Sequence, residues 1–373
     1  GLFAVAVNRI NNFSCPVVAV DIPSGLNSDT GEPLGTCIRA DLTVTFGQAK
    51  IGQVVHPGRE FIGNLEVVDI GIPGEAVAAA DLKLEFLDGG IGSLLPQRSF
   101  HAHKGTFGHL LVIAGSLGKT GAAQLCSLGG LRAGTGLVTL CVPYELNQIV
   151  QTGLWEAMSV PLQSAAQGIL SIEDYTVIAE ALNNKQAITV GPGIGTADET
   201  AELILKLYRE VSIPMLIDAD GLNIIARDSS IIGKAAGPRV LTPHPGEMSR
   251  LTGLSTQEIQ ANRLQVTRDF AQNHRVHLVL KGAETVVCSP DGLQAINSTG
   301  NPGMATGGMG DVLSGVIGGF MAQGLSAWQA ACLGVYVHGL AADRLAAEMS
   351  SGYLASEVAD EVPYALETLR NNT

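Results

Sequence analysis

The chain alternates between short apolar runs and longer amphipathic segments. Many of the short runs are rich in Val, Ile and Leu on both faces, which is typical of a parallel sheet covered by helices on both sides. Predicted strands lie at 16–22, 41–46, 65–72, 109–115, 137–142, 187–193, 215–220, 239–244, 277–282 and 285–290. Helical patterns occur at 121–134, 197–211, 255–273 and 326–349. The order of these elements predicts an α/β protein.

The pattern weakens between residues 74 and 103, where little periodicity remains. We interpret this stretch as a connection between two units and place the boundary near residue 90. The length of 373 residues also favours two domains over one. The predicted domains are therefore 1–90 and 91–373, and the second is expected to contain one large sheet without an internal repeat.

Composition and charge limit the kinds of molecule that the chain is expected to bind. The chain is 46% hydrophobic and 15% charged, which is enough apolar material for substantial cores. Its formal net charge of −13 argues against binding to nucleic acid or to an anionic membrane, since both are bound through clustered Lys and Arg. Local features must therefore hold any anionic ligand.

The cysteines and the first residues of the chain indicate the cellular compartment of the protein. Six cysteines lie far apart without a CxxC pair, which favours a reducing compartment over a disulfide framework or a zinc site. No uninterrupted apolar run reaches the length of a membrane span. The opening GLFAVAVNRI lacks the charged start of a signal peptide, and we expect the chain to begin inside a domain. We predict a cytoplasmic protein.

A glycine-rich run, GNPGMATGGMGD at 300–311, precedes an apolar helical segment. The first amides of a helix lack intrahelical partners, so residues 307–310 (Gly307, Gly308, Met309 and Gly310) are predicted to form an anion hole. Asp311 would stand beside the anion and be repelled by it, which suits a base that deprotonates an attacking hydroxyl better than a binding group. The alternative is an acid stabilised by the helix dipole.

A second glycine-containing segment, HKGTFGHLLVIAGSLGKTGAAQ at 103–124, is not a Walker A loop, because that motif requires glycine where Ile113 stands. It predicts a strand that ends at Gly115, turns through Gly118 and enters a helix near Gly121. The small side chain of Ala122 would allow a ligand to approach closely.

Two further strand ends carry Gly and Pro turns, VGPGIGT at 190–196 and LTPHPGE at 241–247. Ligands bind at the carboxyl ends of strands in open α/β sheets, so Gly193 and His244 are candidates for one crevice. A structural role for His244 is the alternative. In LVLKGAETVV at 278–287, Lys281 could donate to a phosphate, and a surface hairpin is the simpler interpretation.

These motifs together carry a resemblance. From about residue 101 the chain is similar to the ADP- or ATP-dependent NAD(P)H-hydrate dehydratases, a branch of the ribokinase-like superfamily. The segments that carry it are HKGTFGHLLVIAGS, TGAA, LRAGTGLVT, VGPGIG, LIDADGLN, LTPHPGE, LKGAETVV and GNPGMATGGMGDVLSG, in family order. The resemblance implies a ribokinase-like, three-layer α/β/α domain.

The resemblance also implies an activity, the repair of (6S)-hydrated NADH or NADPH by a lyase that uses the terminal phosphate of ADP or ATP, with Mg²⁺. Asp311 would act on the hydroxyl of the hydrate. The resemblance also implies that the hydrated dinucleotide would contact Ala122, Gly193, His244 and Asp311. The adenine nucleotide would contact Lys281, Gly282, Ala283, Glu284, Thr285 and Gly310.

The N-terminal part resembles the C-terminal half of an NAD(P)H-hydrate epimerase domain, a partial Rossmann-like α/β unit, through AVDIPSGLNSDTG, DLTVTFGQAKIG and NLEVVDIGIP. The resemblance places Asp21 at a substrate site and Ser24 at a potassium ion. An Asp at a strand end before Pro-Ser-Gly fits a ligand-facing turn, and capping of that turn is the alternative. The first half of that domain is absent from these residues, so we expect little or no epimerase activity.

Two other functions stay open from the sequence. A ribokinase-superfamily kinase of the hydroxymethylpyrimidine or thiazole type would use the same anion hole and base but release a phosphorylated product. A noncatalytic nucleotide sensor would have no use for Asp311, because a carboxylate that faces phosphate weakens binding. The order of the two domains favours ADP over ATP, and the family leads us to expect a homo-oligomer.

Overall fold

The computed structural model describes residues 1–162 and 168–371, which fall into two units, Gly1–Phe86 and Leu87–Thr373. Strands are β1 Val18–Val20, β2 Leu42–Phe46, β3 Asn64–Val68, β4 Leu84–Phe86, β5 His109–Ile113, β6 Leu137–Pro143, β7 Met158–Leu162, β8 Ala187–Val190, β9 Met215–Ile217, β10 Arg239–Leu241, β11 His277–Leu280, β12 Val286–Cys288 and β13 Gln294–Ile296. Helices are α1 Leu2–Asn11, α2 Ile51–Val54, α3 Gly74–Ala79, α4 Thr120–Arg132, α5 Tyr144–Gly153, α6 Tyr175–Ala181, α7 Asp198–Glu210, α8 Asp220–Ile225, α9 Pro245–Thr252, α10 Thr256–Ala261, α11 Arg263–His274, α12 Met309–Ala322, α13 Ala327–Ala346 and α14 Ala355–Asn371.

The first unit is built on three parallel strands in the order β1, β2, β3. Its strands are covered on one side only: β1 alternates exposed, buried, exposed, and Ala19 is its buried residue. A small apolar cluster of Leu26, Cys37 and Ile62 packs beside the sheet. Few side chains of this unit are therefore removed from water.

The sheet of the second unit runs in the order β13, β12, β11, β10, β9, β8, β5, β6, β7. Strands β5 to β11 pair in parallel, and β12 and β13 join the end of the sheet in antiparallel fashion. Strands β8 to β13 are buried along almost their whole length. The predicted α/β class is confirmed.

Two apolar cores lie on the opposite faces of this sheet. Along β5, Leu110 and Val112 belong to one core, and Leu111 and Ile113 belong to the other, as the two-residue repeat of a strand requires. Residues of α4, α12, α13 and α14 fill the first core, and residues of α7, α8, α9 and α11 fill the second. The result is a helix, sheet, helix sandwich.

The strand order reverses at β5, which lies between β8 and β6. Such a reversal opens a crevice at the carboxyl ends of the strands, where open α/β sheets bind ligands. The backbone is tightly packed there: Gly191, just after β8, has a φ of 125°, and a Cβ atom at this residue would collide with the carbonyl of Asp218. Glycine is required for β8 and β9 to end side by side.

Several elements differ from the sequence prediction. The segment 74–103 is not purely a connection, because it contains α3, β4 and a 3₁₀ turn at Gly89–Leu94. The predicted helix at 255–273 divides at Asn262, whose φ of −134° is not helical. Strand β7 was missed because it contains Pro161, which is compatible with its position at the edge of the sheet. The opening residues form α1, which no pattern had indicated.

All six cysteines are free thiols, and Cys15 is the exposed one. Within residues 1–162 and 168–371, no helix combines the length and the apolar character that a membrane crossing requires.

Candidate active site

Helix α12 begins at the end of the glycine-rich run. Gly308 is the N-cap, with a φ of 92° that favours glycine, and a Cβ atom here would lie 2.7 Å from Leu125 Cδ1. The amide of Val312 makes the first helical bond, to the Gly308 carbonyl at 3.1 Å. The amides of the first turn are therefore free of helical partners and lie at the positive end of the helix dipole.

A cleft of about 470 Å³ opens over this helix start. It is lined by Gly118, Lys119, Gly121, Ala122, Leu125, Gly193, Ala219, Asp220, Gly307, Gly308 and Asp311. These residues follow β5, β8 and β9 or lie at the start of α12, so the cleft lies at the reversal of strand order. The structure thus brings together five residues that the sequence had singled out, Ala122, Gly193, Gly307, Gly308 and Asp311.

Small side chains shape one wall of the cleft. A Cβ atom on Gly193 would lie 3.0 Å from the Cβ atom of Ala122, and its φ of 66° also favours glycine. The Gly193 carbonyl accepts a hydrogen bond from Ser116 Oγ at 2.7 Å, which ties the ends of β5 and β8 together. The wall is open because neither residue has a larger side chain.

An ion pair lies at the rim. Lys119 Nζ is 2.8 Å from Asp220 Oδ2, and the amide of Gly195 donates to the same oxygen at 2.9 Å. The side chain of Lys119 is 51% exposed, so this lysine can move toward an anionic ligand at small cost. Ala219, between the cleft and β9, has a φ of 50°, a conformation that non-glycine residues rarely adopt.

The floor behind Asp311 holds three linked side chains that we call the buried triad, Asp218, Lys281 and Ser314. Asp218 Oδ1 accepts from Lys281 Nζ at 2.6 Å, and its Oδ2 accepts from Ser314 Oγ at 2.7 Å. Asp218 is 1% exposed. Both carboxylate oxygens are therefore satisfied, as a charge so deeply buried requires.

The buried triad lies against the helix start. A Cβ atom on Gly310 would be 3.3 Å from Lys281 Nζ and 3.6 Å from Asp218 Oδ2, so a larger residue here would contact this ammonium group closely. A second carboxylate oxygen, Glu247 Oε2, lies 3.8 Å from Lys281 Nζ. Burial lowers the pKa of Lys281, but the charges of Asp218 and Glu247 outweigh it and raise that pKa. Lys281 is a fixed cation next to the amides of α12.

Asp311 is the third residue of α12, and its carboxylate faces the cleft. Burial first, and then the negative charge of Asp218, raise the pKa of Asp311 to about 6, although Lys281 acts in the opposite direction. A carboxylate with this pKa is ionised at neutral pH and is a stronger base than an ordinary aspartate. The arrangement can take a proton from a hydroxyl group while the helix amides and Lys281 hold an anion.

Other predicted residues lie outside the cleft lining. His244 caps α9: its Nδ1 accepts from the Gly246 amide at 3.0 Å, and its amide donates to Glu247 Oε2 at 2.8 Å. The ring is half exposed, and Glu247 lies between it and Lys281, 3.5 Å from His244 Nε2 and 3.8 Å from Lys281 Nζ. The residues after Lys281, Gly282 to Thr285, form the turn between β11 and β12, closed by a 2.9 Å bond from Thr285 Oγ1 to the Gly282 carbonyl. Met309 is buried.

Asp21 and Ser24 belong to the first unit. Asp21 directly follows β1, and its Oδ1 accepts from Lys50 Nζ and from Thr45 Oγ1, the latter at 3.0 Å. The hydrogen bond from Lys50 holds the pKa of Asp21 below its usual range. Ser24 is exposed, and its carbonyl accepts from the amide of Ile38 at 3.0 Å.

Sequence reasoning missed the buried triad apart from Lys281, and it missed Glu247, Lys119 and Asp220. A signal for Asp218 was present: it directly follows β9, as a ligand-facing residue of a parallel sheet often does. Ser314 could not be found in this way, because one helical serine carries no sign of its partner across the sheet.

Any Mg²⁺ at this cleft would have to be brought by a ligand. Across residues 1–162 and 168–371, no three His, Cys, Asp or Glu side chains are placed to share a metal ion. Mg²⁺ usually keeps several waters and is held largely by substrate phosphates, so a cage made only of protein ligands is not needed. Bound in this way, it would neutralise charge on the phosphates.

Comparison with known proteins shows the family of the chain. Residues 110–364 match the family described as NAD(P)H-hydrate dehydratase. The chain belongs to the NAD(P)H-hydrate dehydratase family. Residues 1–52 match a second family, described as YjeF-related protein N-terminus.

Individual relatives match this chain over almost its whole length. The chain is 43% identical over 371 residues to the bifunctional NAD(P)H-hydrate repair enzyme Nnr of Moorella thermoacetica, covering 99% of this chain and 70% of that protein. It is 40% identical over 373 residues to the enzyme of the same name from Thermofilum pendens, covering 100% of this chain and 71% of that protein. The predicted resemblance is confirmed.

Solved structures support the fold. The ADP/ATP-dependent NAD(P)H-hydrate dehydratase of Bacillus subtilis, co-crystallised with ATP and Mg²⁺, superposes with a TM-score of 0.66 at 29% identity, covering 77% of this chain and 99% of that one. A ribokinase-like superfamily protein of Enterococcus faecalis gives a TM-score of 0.67 at 24% identity, covering 77% of this chain and 96% of that one, and bears on the fold alone. The ribokinase-like prediction is confirmed.

Proposed function

We propose that this chain dehydrates (6S)-hydrated NADH and NADPH back to the reduced dinucleotides, using the terminal phosphate of ADP and releasing AMP and phosphate. The reaction is a metabolite repair. The observation that carries the proposal comes from a cleft of this dehydratase-family chain. A helix start and an aspartate whose pKa is raised to about 6 line the cleft, and a fixed lysine lies directly behind the helix start.

The chain's own residues account for the first step. Asp311 accepts the proton of the hydrate's hydroxyl as that oxygen attacks the terminal phosphorus, and AMP leaves with the electrons of the broken P–O bond. The amides of Gly308 to Gly310 and the Lys281 ammonium stabilise the negative charge of the moving phosphoryl group. Mg²⁺ held by the nucleotide phosphates would neutralise part of the same charge.

The second step is an elimination. The phosphate leaves from the ring carbon with the electrons of the C–O bond, and loss of a proton from the neighbouring carbon restores the ring double bond. Phosphorylation makes this step possible near neutral pH because phosphate is a far better leaving group than hydroxide. In this proposal Ala122, Gly193 and His244 contact the dinucleotide, and Lys281 to Thr285 with Gly310 contact the adenine nucleotide.

Incubation with hydrated NADH, Mg²⁺ and either ADP or ATP tests the proposal. Recovery of absorbance at the reduced-nicotinamide wavelength, with one AMP formed from ADP per NADH, is the expected result. A stable phosphorylated alcohol without NADH would instead indicate a small-molecule kinase, and nucleotide binding without either product would indicate a sensor.

The remaining expectations are predictions that the same preparation can test. Ser24 as a potassium ligand, Asp21 as an epimerase residue, the cytoplasmic location and a homo-oligomeric state are among them. Adding the (6R) hydrate with and without K⁺ measures the epimerase activity, which we expect to be low. Light scattering measures the oligomeric state.

A further inference from the structure

The strongest unexplained feature of the second unit is Asp218. It is among the most buried charged side chains of the described chain, and it lies directly behind the proposed phosphoryl site. None of its oxygens lines the cleft, and both are occupied by Lys281 and Ser314. A carboxylate placed near transferring phosphate weakens nucleotide binding, so its presence calls for another use.

We propose that Asp218 is a positioning residue of the phosphoryl site, which fixes the Lys281 ammonium against Gly310 and places its own carboxylate behind the first turn of α12. The inference deepens the proposed function and rests on it. Three residues of three different elements, the ends of β9 and β11 and the first turns of α12, are joined by two hydrogen bonds of 2.6 and 2.7 Å.

Geometry alone supports the positioning of Lys281. A lysine side chain has four flexible bonds, and holding its ammonium group in one place requires a fixed partner. Asp218 is such a partner, because Ser314 Oγ holds its second oxygen and 99% of its surface is buried. The absent side chain of Gly310 leaves the ammonium in contact with the start of α12.

The second effect of Asp218 is electrostatic. The groups that face Asp311 are Asp218, Lys281, Asp220 and the Cys126 thiol, and behind Lys281 lie Glu247 and His338. Burial is the largest influence on Asp311, and Asp218 is the largest charge that raises its pKa. If Asp218 loses its charge, burial and Asp220 still raise the pKa of Asp311, but the largest charge that opposes Lys281 is gone. Asp311 then becomes a weaker base that ionises at lower pH.

The test is Asp218→Asn, which keeps the volume of the side chain and its ability to accept hydrogen bonds. We expect kcat to fall by at least about tenfold, while KM for ADP stays the same or decreases, since general-base contributions are about a hundredfold or more. In the pH profile of kcat/KM, the acidic limb should move to lower pH. Asp311 must be ionised to accept the proton, and in this variant it ionises at lower pH. Conversely, Asp218→Glu should retain the position of that limb and restore part of the rate.

Two matched variants separate this role from simple stabilisation. Tyr208→Phe removes another buried hydrogen bond of the same unit, from Tyr208 Oη to the Ile232 carbonyl at 2.8 Å, and should lower the melting temperature without moving the acidic limb. Ser314→Ala removes only the second anchor of Asp218 and should give a smaller loss than Asp218→Asn. An Asp218→Asn enzyme with unchanged kcat would overturn the inference. So would an enzyme that is slower by the same factor at every pH, with the acidic limb of its kcat/KM profile unmoved.

Proton uptake on ADP binding tests the inference without turnover. The phosphate charge raises the pKa of Asp311 further, so binding near pH 6.5 should take up a proton, measurable by calorimetry in buffers of different ionisation enthalpy. The difference between wild type and Asp311→Asn isolates this proton. In Asp218→Asn the uptake should move to lower pH, and an unmoved uptake would contradict the inference even if wild type dehydrates nothing. Absence of wild-type turnover alone would reject the proposed function.

Discussion

Each unit places an aspartate directly after a parallel strand and pairs it with a lysine, but the two pairs lie in different surroundings. In the first unit the side chains of Asp21 and Lys50 are 41% and 28% exposed. In the second unit those of Asp218 and Lys281 are 1% and 17% exposed. Water screens the first pair, whereas the second acts on its neighbours through the protein interior. The same chemical pair can therefore adjust a neighbouring base only in the second unit.

The packing around each sheet causes this difference. In the first unit, Val18 and Val20 on one face of β1 are 56% and 70% exposed. In the second unit, β8, β9 and β10 are buried at every residue. A strand end surrounded by two apolar cores has a low local dielectric, and a charge placed there needs a partner. The covering of both sheet faces thus sets the electrostatic surroundings of Asp218 and Lys281.

The largest expected effect is that of Asp311→Asn on turnover. An amide cannot accept the hydroxyl proton, so kcat should fall by about 10² to 10⁴, the usual contribution of a general base. NADH absorbance recovery measures the rate, and circular dichroism shows whether the fold is retained.

Asp198→Asn is the matched control for that change. Asp198 lies in the first turn of α7, as Asp311 does in α12, but it is 97% exposed and pairs with Arg227 at the surface. Its substitution should leave turnover within about twofold, since exposed pairs contribute little. Equal losses in both variants would mean that helix N-terminal acids matter here for stability and not for proton transfer.

The next largest effect is expected for Lys281→Met, which leaves Asp218 buried without its cation. Removing one partner of a buried pair costs about 3 to 5 kcal/mol of unfolding free energy. Both tryptophans, Trp155 and Trp328, belong to the second unit, so fluorescence during urea unfolding reports on this unit.

The double variant Asp218→Asn with Lys281→Met sharpens the measurement. It removes both charges, so most of the lost stability should return, while turnover should stay as low as in Lys281→Met alone. If the two single losses of stability simply add, the side chains do not interact as their 2.6 Å separation indicates.

A third effect concerns pH. The pKa of Asp311 is raised to about 6 from a usual value of 3.8, so the folded state favours its protonated form. The cost of ionised Asp311 to the free energy of unfolding is absent below pH 4. It grows as the pH rises to about 6 and then stays constant at about 2 to 3 kcal/mol. Asp311→Asn should therefore be more stable than wild type at pH 8 by roughly that amount.

Urea midpoints at pH 4 and pH 8 measure this difference, which should be close to zero at the lower pH. A gain that is equal at both values would assign the effect to packing instead of to charge. Wild-type kcat/KM should, over the same range, fall as the pH drops through about 6, since only ionised Asp311 can accept the proton.

Most of the second unit could be predicted from its sequence. Strands such as β5 and β8 are continuous apolar runs, and the glycines around Asp311 indicate a helix start by their own chemistry. Strand β13 could not be found in this way, because its three residues begin with a glutamine and form no apolar run. Helix α10 ends at Asn262 for a local reason, a backbone turn that no apolar pattern records.

The site was only partly predictable for a different reason. Residues near a strand end or a glycine turn, such as Gly193 and Asp311, carry a local signal. The partnership of Asp218 with Lys281 and Ser314 joins residues that are far apart in the chain, so their contact exists only in the folded sheet. His244 was assigned to the crevice because it follows a predicted strand, and the structure shows it as the N-cap of α9, which begins at Pro245.

The smallest expected effect is that of Lys50→Met in the first unit. Lys50 lowers the pKa of Asp21, so the pair stabilises the folded state above the unfolded pKa of Asp21 and loses that contribution as the pH falls through the folded value. Because both side chains are partly exposed, the loss at pH 7 should stay below about 1 kcal/mol. The first unit has neither Trp nor Tyr, so hydrogen exchange of peptides that cover β2 is the suitable measurement. A loss as large as that of Lys281→Met would show that the two pairs differ less in their surroundings than their exposure indicates.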